Sequence, residues 1–410
     1  MAPVTVLRNI GQLATCPADT GQQDAGLIDN AALVIEGKRI AWVGSESRLP
    51  KTFIHHESVD CGQRLVIPGL IDCHTHLCFG GWRGDEFEMR LQGSSYQEIA
   101  AAGGGIRSTV AATRIESADQ LLNKALGSLD GILDLGITTL ECKSGYGLER
   151  NAELKQLHVY RQLGDLQPVE LIPTFLGAHM IPDEYQQDRE AYVRLLCSEL
   201  IPLVGEQNLA QFCDVFVEKG AFSIAEARMI LETAKTAGLG LKVHADQLSG
   251  GGGAQLAAEL GAVSAEHLEY ADPDGIAALA KAGTVAVSLP LASLYLGERY
   301  IPAREMLNAG VRVAVATDFN PGSAPSYHLP LAMTLACLNQ RMTPQEVIMG
   351  VTTVAARAIS AEQRIGSLLP GYDADIAIID ASSVNHWLYH FQANACCGVI
   401  KSGQWVKKYR

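Results

Sequence analysis

Residues 71–76 read Ile-Asp-Cys-His-Thr-His, directly after the apolar run Leu65-Val66-Ile67-Pro68-Gly69-Leu70. Side chains alternate along a strand, so His74 and His76 leave its end in the same direction. Two neutral imidazole nitrogens held this way are natural ligands for one metal ion. A His-x-His pair alone also arises by chance on a surface. Here, however, later apolar runs end in polar residues too: Glu141 and Lys143 with Tyr146, then His179, then Glu218 and Lys219. Beyond these come His244 with Asp246 and Gln247, then His267, Ser288, and Asp318 with Asn320. The chemistry such a set points to is hydrolysis by a metal-activated water.

The elements that would position these groups follow from the spacing. Apolar, strand-like runs fall at 65–72, 137–142, 169–175, 212–217, 240–244, 262–265, 284–289 and 311–316. Helical segments lie between them, such as Ala118–Leu135, Asn151–Leu163 and Ile224–Ala237, the last behind an N-cap at Ser223. Strands alternating with helices predict an α/β fold, a (β/α)8 TIM-like barrel over 66–359. An open doubly wound sheet shares the pattern. The barrel is favoured because its mouth makes all strand ends converge. Residues 1–65 hold a hairpin, Ala32–Ile35 and Ile40–Val43 around Gly37-Lys38, and residues 360–410 hold further short strands. Neither end can build a core alone, so the two together predict one small β-sandwich domain.

A net charge of −13 over 410 residues excludes nucleic acid and anionic membrane as expected partners. An anionic small molecule remains open if a local cation overrides the field. The 10 cysteines include no Cys-x-x-Cys, and the adjacent Cys396 and Cys397 have poor disulfide geometry. No signal peptide and no apolar stretch of bilayer-spanning length is visible, so reduced thiols in the cytoplasm are expected.

The chain resembles the amidohydrolase superfamily, and within it the imidazolonepropionase family. The stretches that carry it are Val66–His76, Phe79-Gly80-Gly81-Trp82-Arg83, Lys143-Ser144-Gly145-Tyr146-Gly147 and Leu176-Gly177-Ala178-His179. Later come His244-Ala245-Asp246-Gln247-Leu248-Ser249, Ala265–Tyr270 and Ala316–Ser323. The His-x-His and Thr317-Asp318 pieces mark the superfamily. The Lys-Ser-Gly-Tyr-Gly and Asp-Phe-Asn-Pro-Gly pieces are more specific.

The resemblance implies one zinc or iron ion per chain, held by His74, His76, His244 and Asp318, with Asp318 also the proton acceptor. His267 would stand beside the nucleophile or the carbonyl oxygen. The implied substrate is 4-imidazolone-5-propanoate, opened at a ring C–N bond, with Arg83 as bidentate partner of its propionate. Tyr146, His179, Asn320, Gly322 and Ser323 resemble the remaining substrate contacts, and a homodimer is implied. Gln247 departs from the His-x-x-Glu of single-metal deaminases; an amide cannot carry a proton, so it is read as a substrate contact. A second metal would need Lys143 as a carboxylated bridge. A ring deaminase and an inactive scaffold barrel stay open as alternatives. Glu218 and Lys219 are expected to form an ion pair lining the barrel. The runs Gly103–Gly105 and Gly250–Gly253 are expected to be a mobile loop over the site and a tight turn; neither fits a phosphate-binding motif.

Overall fold

The apolar run 65–72 is cut at Gly69, and the cut separates two sheets. In the computed structural model, which describes residues 2–93, 98 and 103–408, strand β5 (Leu65–Pro68) and strand β6 (Leu70–Asp72) join different partners. Gly69 N–H donates to Asp375 of the smaller sheet at 2.9 Å, while Leu70 N–H donates to Gly136, ahead of the second barrel strand, at 2.9 Å. A Cβ on residue 69 would lie 2.3 Å from Thr138 Oγ1, so the crossing requires glycine.

Eight parallel strands form the barrel in sequence order: β6, β7 (Ile137–Lys143), β8 (Glu170–Ala178), β9 (Phe212–Val217), β10 (Gly240–Ala245), β11 (Ser264–His267), β12 (Val285–Ser288) and β13 (Val313–Val315). These are the strands expected from the apolar runs. Beyond its last strand the barrel closes through the segments that carry His74, His76 and Asp318. Asp318 N–H donates to His74 at 3.1 Å and His76 N–H to Phe319 at 2.8 Å. Helices cover the strands as the pattern predicts, at Ala118–Asp134, Arg150–Leu166 and Ile224–Thr236 among others. Ser223 caps the last of these in a reciprocal capping box with Glu226.

Strands from both chain ends build the second unit, a mixed sheet. β1 (Val4–Ala14), β2 (Leu27–Glu36), β3 (Arg39–Ser45), β4 (Glu57–Asp60) and β5 come from the N-terminal part, with β1 central. β14 (Ile376–Ile379), β15 (Cys396–Lys401) and β16 (Gln404–Lys408) add through β5. Leu7, Ile10, Leu33 and Ile35 share one apolar cluster with Ile376, Ile378 and Ile400. Each end thus completes the other's core. Glu170, at the foot of β8, takes Arg364 at 2.5 Å and Lys401 at 3.2 Å and ties the sheet to the barrel. Among the described residues no helix is long and apolar enough to cross a membrane.

Because Thr138 fills the space that a side chain at 69 would need, Gly69→Val is expected to cost about 1–3 kcal/mol by overpacking. Thermal unfolding checks it; an unchanged Tm would show that the junction is compliant.

Candidate metal centre

Imidazoles from four strand ends meet at the C-terminal mouth of the barrel. His74 and His76 follow β6, and their Nε2 atoms lie 3.3 and 3.4 Å from Asp318 Oδ1. The His244 ring, from β10, is centred 4.6 Å from that of His74. His267, at the end of β11, stands 5.8 Å from His74 and 5.4 Å from His244. His179, after β8, stacks on His76 at 5.2 Å, and Tyr146 packs at a tilt against both rings. All are buried.

These groups pass a chemical test for a metal ion. His74 Nε2 and His244 Nε2 are buried without a hydrogen-bond partner among the described residues. Orphaning a buried polar atom costs about 1–3 kcal/mol. The opposite ring nitrogens each face a carboxylate: His74 Nδ1 lies 2.7 Å from Glu266 Oε2, and His244 Nδ1 lies 2.8 Å from Asp214 Oδ2. A carboxylate on Nδ1 fixes the proton there and turns the Nε2 lone pair to the centre, the usual support of a metal-ligating histidine. Ligand-type atoms of His74, His76 and Asp318, and of His74, His244 and His267, form compact groups.

The electrostatics agree. Burial opposes the charge of Asp318, yet contacts with His74 and His76 hold its carboxyl well below the usual range. Burial pushes His244 down to about 3 despite Asp214, leaving a neutral ring able to ligate. Burial also lowers His179. His74 goes the other way: burial disfavours its cation, but Glu266 and Asp318 outweigh it and raise the ring to about 9. The centre attracts positive charge, and a metal ion competes for the same nitrogen as that proton.

Beneath the imidazoles lies a layer of buried ions. Lys143 Nζ sits 2.8 Å from Glu141, 2.9 Å from Asp214 and 2.9 Å from Glu266. Burial opposes its charge, but the carboxylates raise its pKa well above the ordinary lysine value. Carboxylation of a lysine needs a neutral amine, and this one is held as an ammonium. Lys242 pairs with Glu266 at 2.7 Å. Asp214, Glu266 and Lys242 did not stand out in the sequence, because each lies within a strand rather than beyond it. A carboxylate inside an apolar run such as Phe212–Val217 is the signal that marks them.

The surrounding loops carry the other expected residues. Lys143-Ser-Gly-Tyr-Gly wraps around buried Glu153, which accepts from Gly147 and Leu148 N–H at 2.8 Å each. Arg83, after β6, donates through Nε to Thr109 at 2.8 Å. Asn320 is used within its own loop: Oδ1 accepts from Gly322 and Ser323 N–H at 2.8 Å each, and Nδ2 donates to Asp318 O at 2.6 Å and Ser323 Oγ at 2.8 Å. Ser323 Oγ in turn donates to Asp318 Oδ2 at 3.2 Å. Gln247 is half-buried beyond β10. Buried Glu269 presents Oε2 3.7 Å from His267 Nδ1.

Two expectations resolve into scaffolding. Glu218 forms no ion pair with the exposed Lys219 side chain; its carboxylate accepts from the N–H groups of Lys219, Leu248 and Ser249 at 2.9, 2.8 and 3.2 Å and holds the loop after β10. A carboxylate at a strand end satisfies loose backbone donors better than it holds a solvated lysine. Asp246 accepts from Gly251 and Gly253 N–H at 2.7 and 3.2 Å, so the run 250–253 is the tight turn expected. Gly105, at φ 72°, starts the helix Ile106–Ile115 and donates to Glu86 at 2.8 Å; the residues before Gly103 lie mostly outside those described.

Comparison with known proteins agrees with this picture. The chain matches the Amidohydrolase family over residues 65–406. It is 46% identical to an imidazolonepropionase of Bacillus velezensis over 98% of this chain and 96% of that protein. Similar relatives come from Fusobacterium nucleatum (47%; 98% of each chain) and Symbiobacterium thermophilum (48%; 94% and 92%). Among solved structures the fold is similar to an adenosine deaminase from Xanthomonas campestris with bound zinc, at TM-score 0.73 and 17% identity over 99% and 93% of the chains. It is also similar to A. niger ochratoxinase, at 0.68 and 21% over 99% and 96%.

Asp214→Asn keeps the shape but weakens the partner of His244 Nδ1. It is expected to lower metal affinity about 10- to 100-fold, as loss of an outer-shell partner does. Competition of the purified protein against a chromophoric chelator measures it, and wild-type affinity would remove Asp214 from the metal's support.

Proposed function

The chain belongs to the amidohydrolase family and, within it, to the imidazolonepropionases, and from that premise we propose how its barrel mouth opens the ring of 4-imidazolone-5-propanoate. The reaction is hydrolysis of a ring C–N bond to N-formimino-L-glutamate, a step of histidine degradation. One observation carries the residue assignment: the Nε2 atoms of His74 and His76 face Asp318 Oδ1 at 3.3 and 3.4 Å, and a loop tied to that same carboxylate lies against Arg83.

His74, His76, His244 and Asp318 hold one zinc or iron ion. When bound, that ion supplies a Lewis acid and lowers the pKa of a coordinated water toward about 7. Lys143, committed to three carboxylates, is not available as a carboxylated bridge, which supports one ion rather than two.

Asp318 has two oxygens with two tasks. Oδ1 faces His74 and His76, and Oδ2 is oriented by Ser323. Asp318 accepts the proton of the attacking water. The water's oxygen bonds to the ring carbonyl carbon, the C–N bond breaks, and the departing nitrogen takes up the proton that Asp318 received. His267, backed by Glu269, donates toward the carbonyl oxygen as charge gathers there. Gln247 hydrogen-bonds a ring nitrogen and moves no proton.

Arg83 holds the propionate. Among the described residues no carboxylate lies within ion-pairing distance of it, so its terminal donors are free for an acid. Tyr146 and His179 flank the ring, with His179 kept neutral by burial. Asn320 acts through its loop, setting Gly322 and Ser323 against the substrate. The chain works as a cytoplasmic homodimer. Tyr389 and Phe391, 85% and 62% exposed beside an apolar groove lined by Leu331, Trp387 and Leu388, support an assembly.

The test is turnover of freshly made 4-imidazolone-5-propanoate with metal analysis of the same sample. Formimino-glutamate and about one metal per chain are expected; full metal content with ammonia as product would point to a deaminase instead. Arg83→Ala is expected to raise KM by about 100-fold, the scale of a lost charged pair, with metal content unchanged. Equal loss of metal and activity would sink the clamp. Asp318→Asn should cut kcat by about 100-fold or more; near-normal kcat with metal bound would mean that another group takes the proton.

A further inference from the structure

Arginine has a long, flexible side chain, yet the donor that Arg83 uses locally is fixed. Its Nε–H donates to Thr109 Oγ1 at 2.8 Å, and Thr109 is 2% exposed. A guanidinium can grip a carboxylate through its Nε/Nη2 side or through its Nη1/Nη2 end. With Nε engaged, the end-on grip remains.

The opposite side of the guanidinium is walled by Gly322. A Cβ there would lie 2.3 Å from Arg83 Nη1 and 2.8 Å from its Cζ. Gly322 is one residue from Ser323, whose hydroxyl donates to Asp318. The clamp is therefore pinned between Thr109 and the loop that also touches the metal-ligand carboxylate.

Thr109 itself is well anchored. Its helix, Ile106–Ile115, accepts Gly80 N–H on Thr113 Oγ1 at 2.9 Å, on the loop that carries Arg83. Further along the helix, Arg114 Nε donates to Gly147 O at 2.7 Å, on the loop that carries Tyr146. A hydroxyl on this helix thus holds a fixed place relative to the substrate loops.

We propose that Thr109 is a positioning residue: it sets the orientation and reach of the Arg83 fork, and through them the length of acid side chain that the enzyme accepts. The proposal rests on Arg83 being the carboxylate clamp. Shortening the side chain by one methylene draws the carboxylate back by about 1 Å. A rigid fork cannot follow and loses its bidentate geometry, whereas a loose one follows at an entropic cost on every substrate.

Steady-state kinetics of the metal-loaded enzyme decide it, using 4-imidazolone-5-propanoate and its acetate homologue. Thr109→Val is expected to raise KM for the propanoate about tenfold, the scale of one lost hydrogen bond to a charged group. It should leave kcat within about twofold and shrink the preference for propanoate over acetate. Thr109→Ala, which adds no new branch, must do the same, and Thr109→Ser must restore both. In an Arg83→Ala background Thr109→Val should have no further effect. Unchanged KM and preference in Thr109→Val and Thr109→Ala, with Arg83→Ala still raising KM, would overturn the positioning role and leave the clamp standing. An Arg83→Ala enzyme with wild-type KM would overturn the clamp, and this inference with it.

Discussion

The active end of this barrel depends on one buried ammonium. Lys143 reaches Glu141, Asp214 and Glu266 at once, with no solvent at any of the four groups. Taking such charges out of water costs several kcal/mol per ion, and apolar replacements of a buried pair are often no less stable. Stability alone therefore does not account for this cluster. What it does is hold two carboxylates ionised and immobile under two imidazoles. Asp214 and Glu266 then face the Nδ1 side of His244 and His74, leaving their Nε2 atoms for the centre, that of His74 3.3 Å from Asp318 Oδ1. The lysine orders the carboxylates, and these in turn order the ligands.

The same segments also close the barrel. His74, His76 and Asp318 lie beyond the ends of β6 and β13, and the hydrogen bonds that seal the last gap run between their backbones. A metal there would bind across the seam of the barrel. Backbone strain gathers at this level too. Asp246, His267, Leu268 and Asp318 adopt φ values of 50°, 74°, 67° and 56°, in the left-handed region that side chains disfavour. Such residues persist where surrounding bonds over-determine them. Leu268 N–H donates to Ala245 at 2.9 Å, Tyr270 N–H to Asp246 at 2.8 Å, and Asp318 N–H to His74 at 3.1 Å. Strands supply the rigidity, and the turns beyond them supply the aim.

Above the imidazoles lies a second layer of loops, joined by polar side chains. Glu153 gathers the backbone around Tyr146, Glu218 the loop after β10, Asn320 the loop after β13, and the helix Ile106–Ile115 braces Arg83. Each uses a carboxylate, amide or hydroxyl to satisfy N–H groups that a loop otherwise leaves bare. Arg83, the proposed partner of the substrate's acid, is thus already held at its Nε by Thr109.

Much of this was legible in the sequence. Alternation of apolar runs and helices, set by burial on both faces of a parallel sheet, gave the barrel and its strands. His74, His76, His244, His267 and Asp318 stood out because strand ends are where a barrel exposes polar groups. Asp214, Glu266 and Glu153 did not, and Glu218 was given a partner it lacks. Their roles rest on contacts between residues far apart in the chain, such as Asp214 with Lys143 and His244. No local spacing encodes which of several nearby partners a buried carboxylate will choose. Likewise one apolar run, 65–72, proved to be two strands of two sheets, parted at a glycine by a threonine from the next strand. The sequence by itself determined the elements, the polar residue types at the strand ends and the face they occupy, because these follow from periodicity and residue chemistry. Only the tertiary structure decided which acid steadies which imidazole and how Arg83 is aimed, because those choices are made by desolvated contacts that exist only once the barrel is closed.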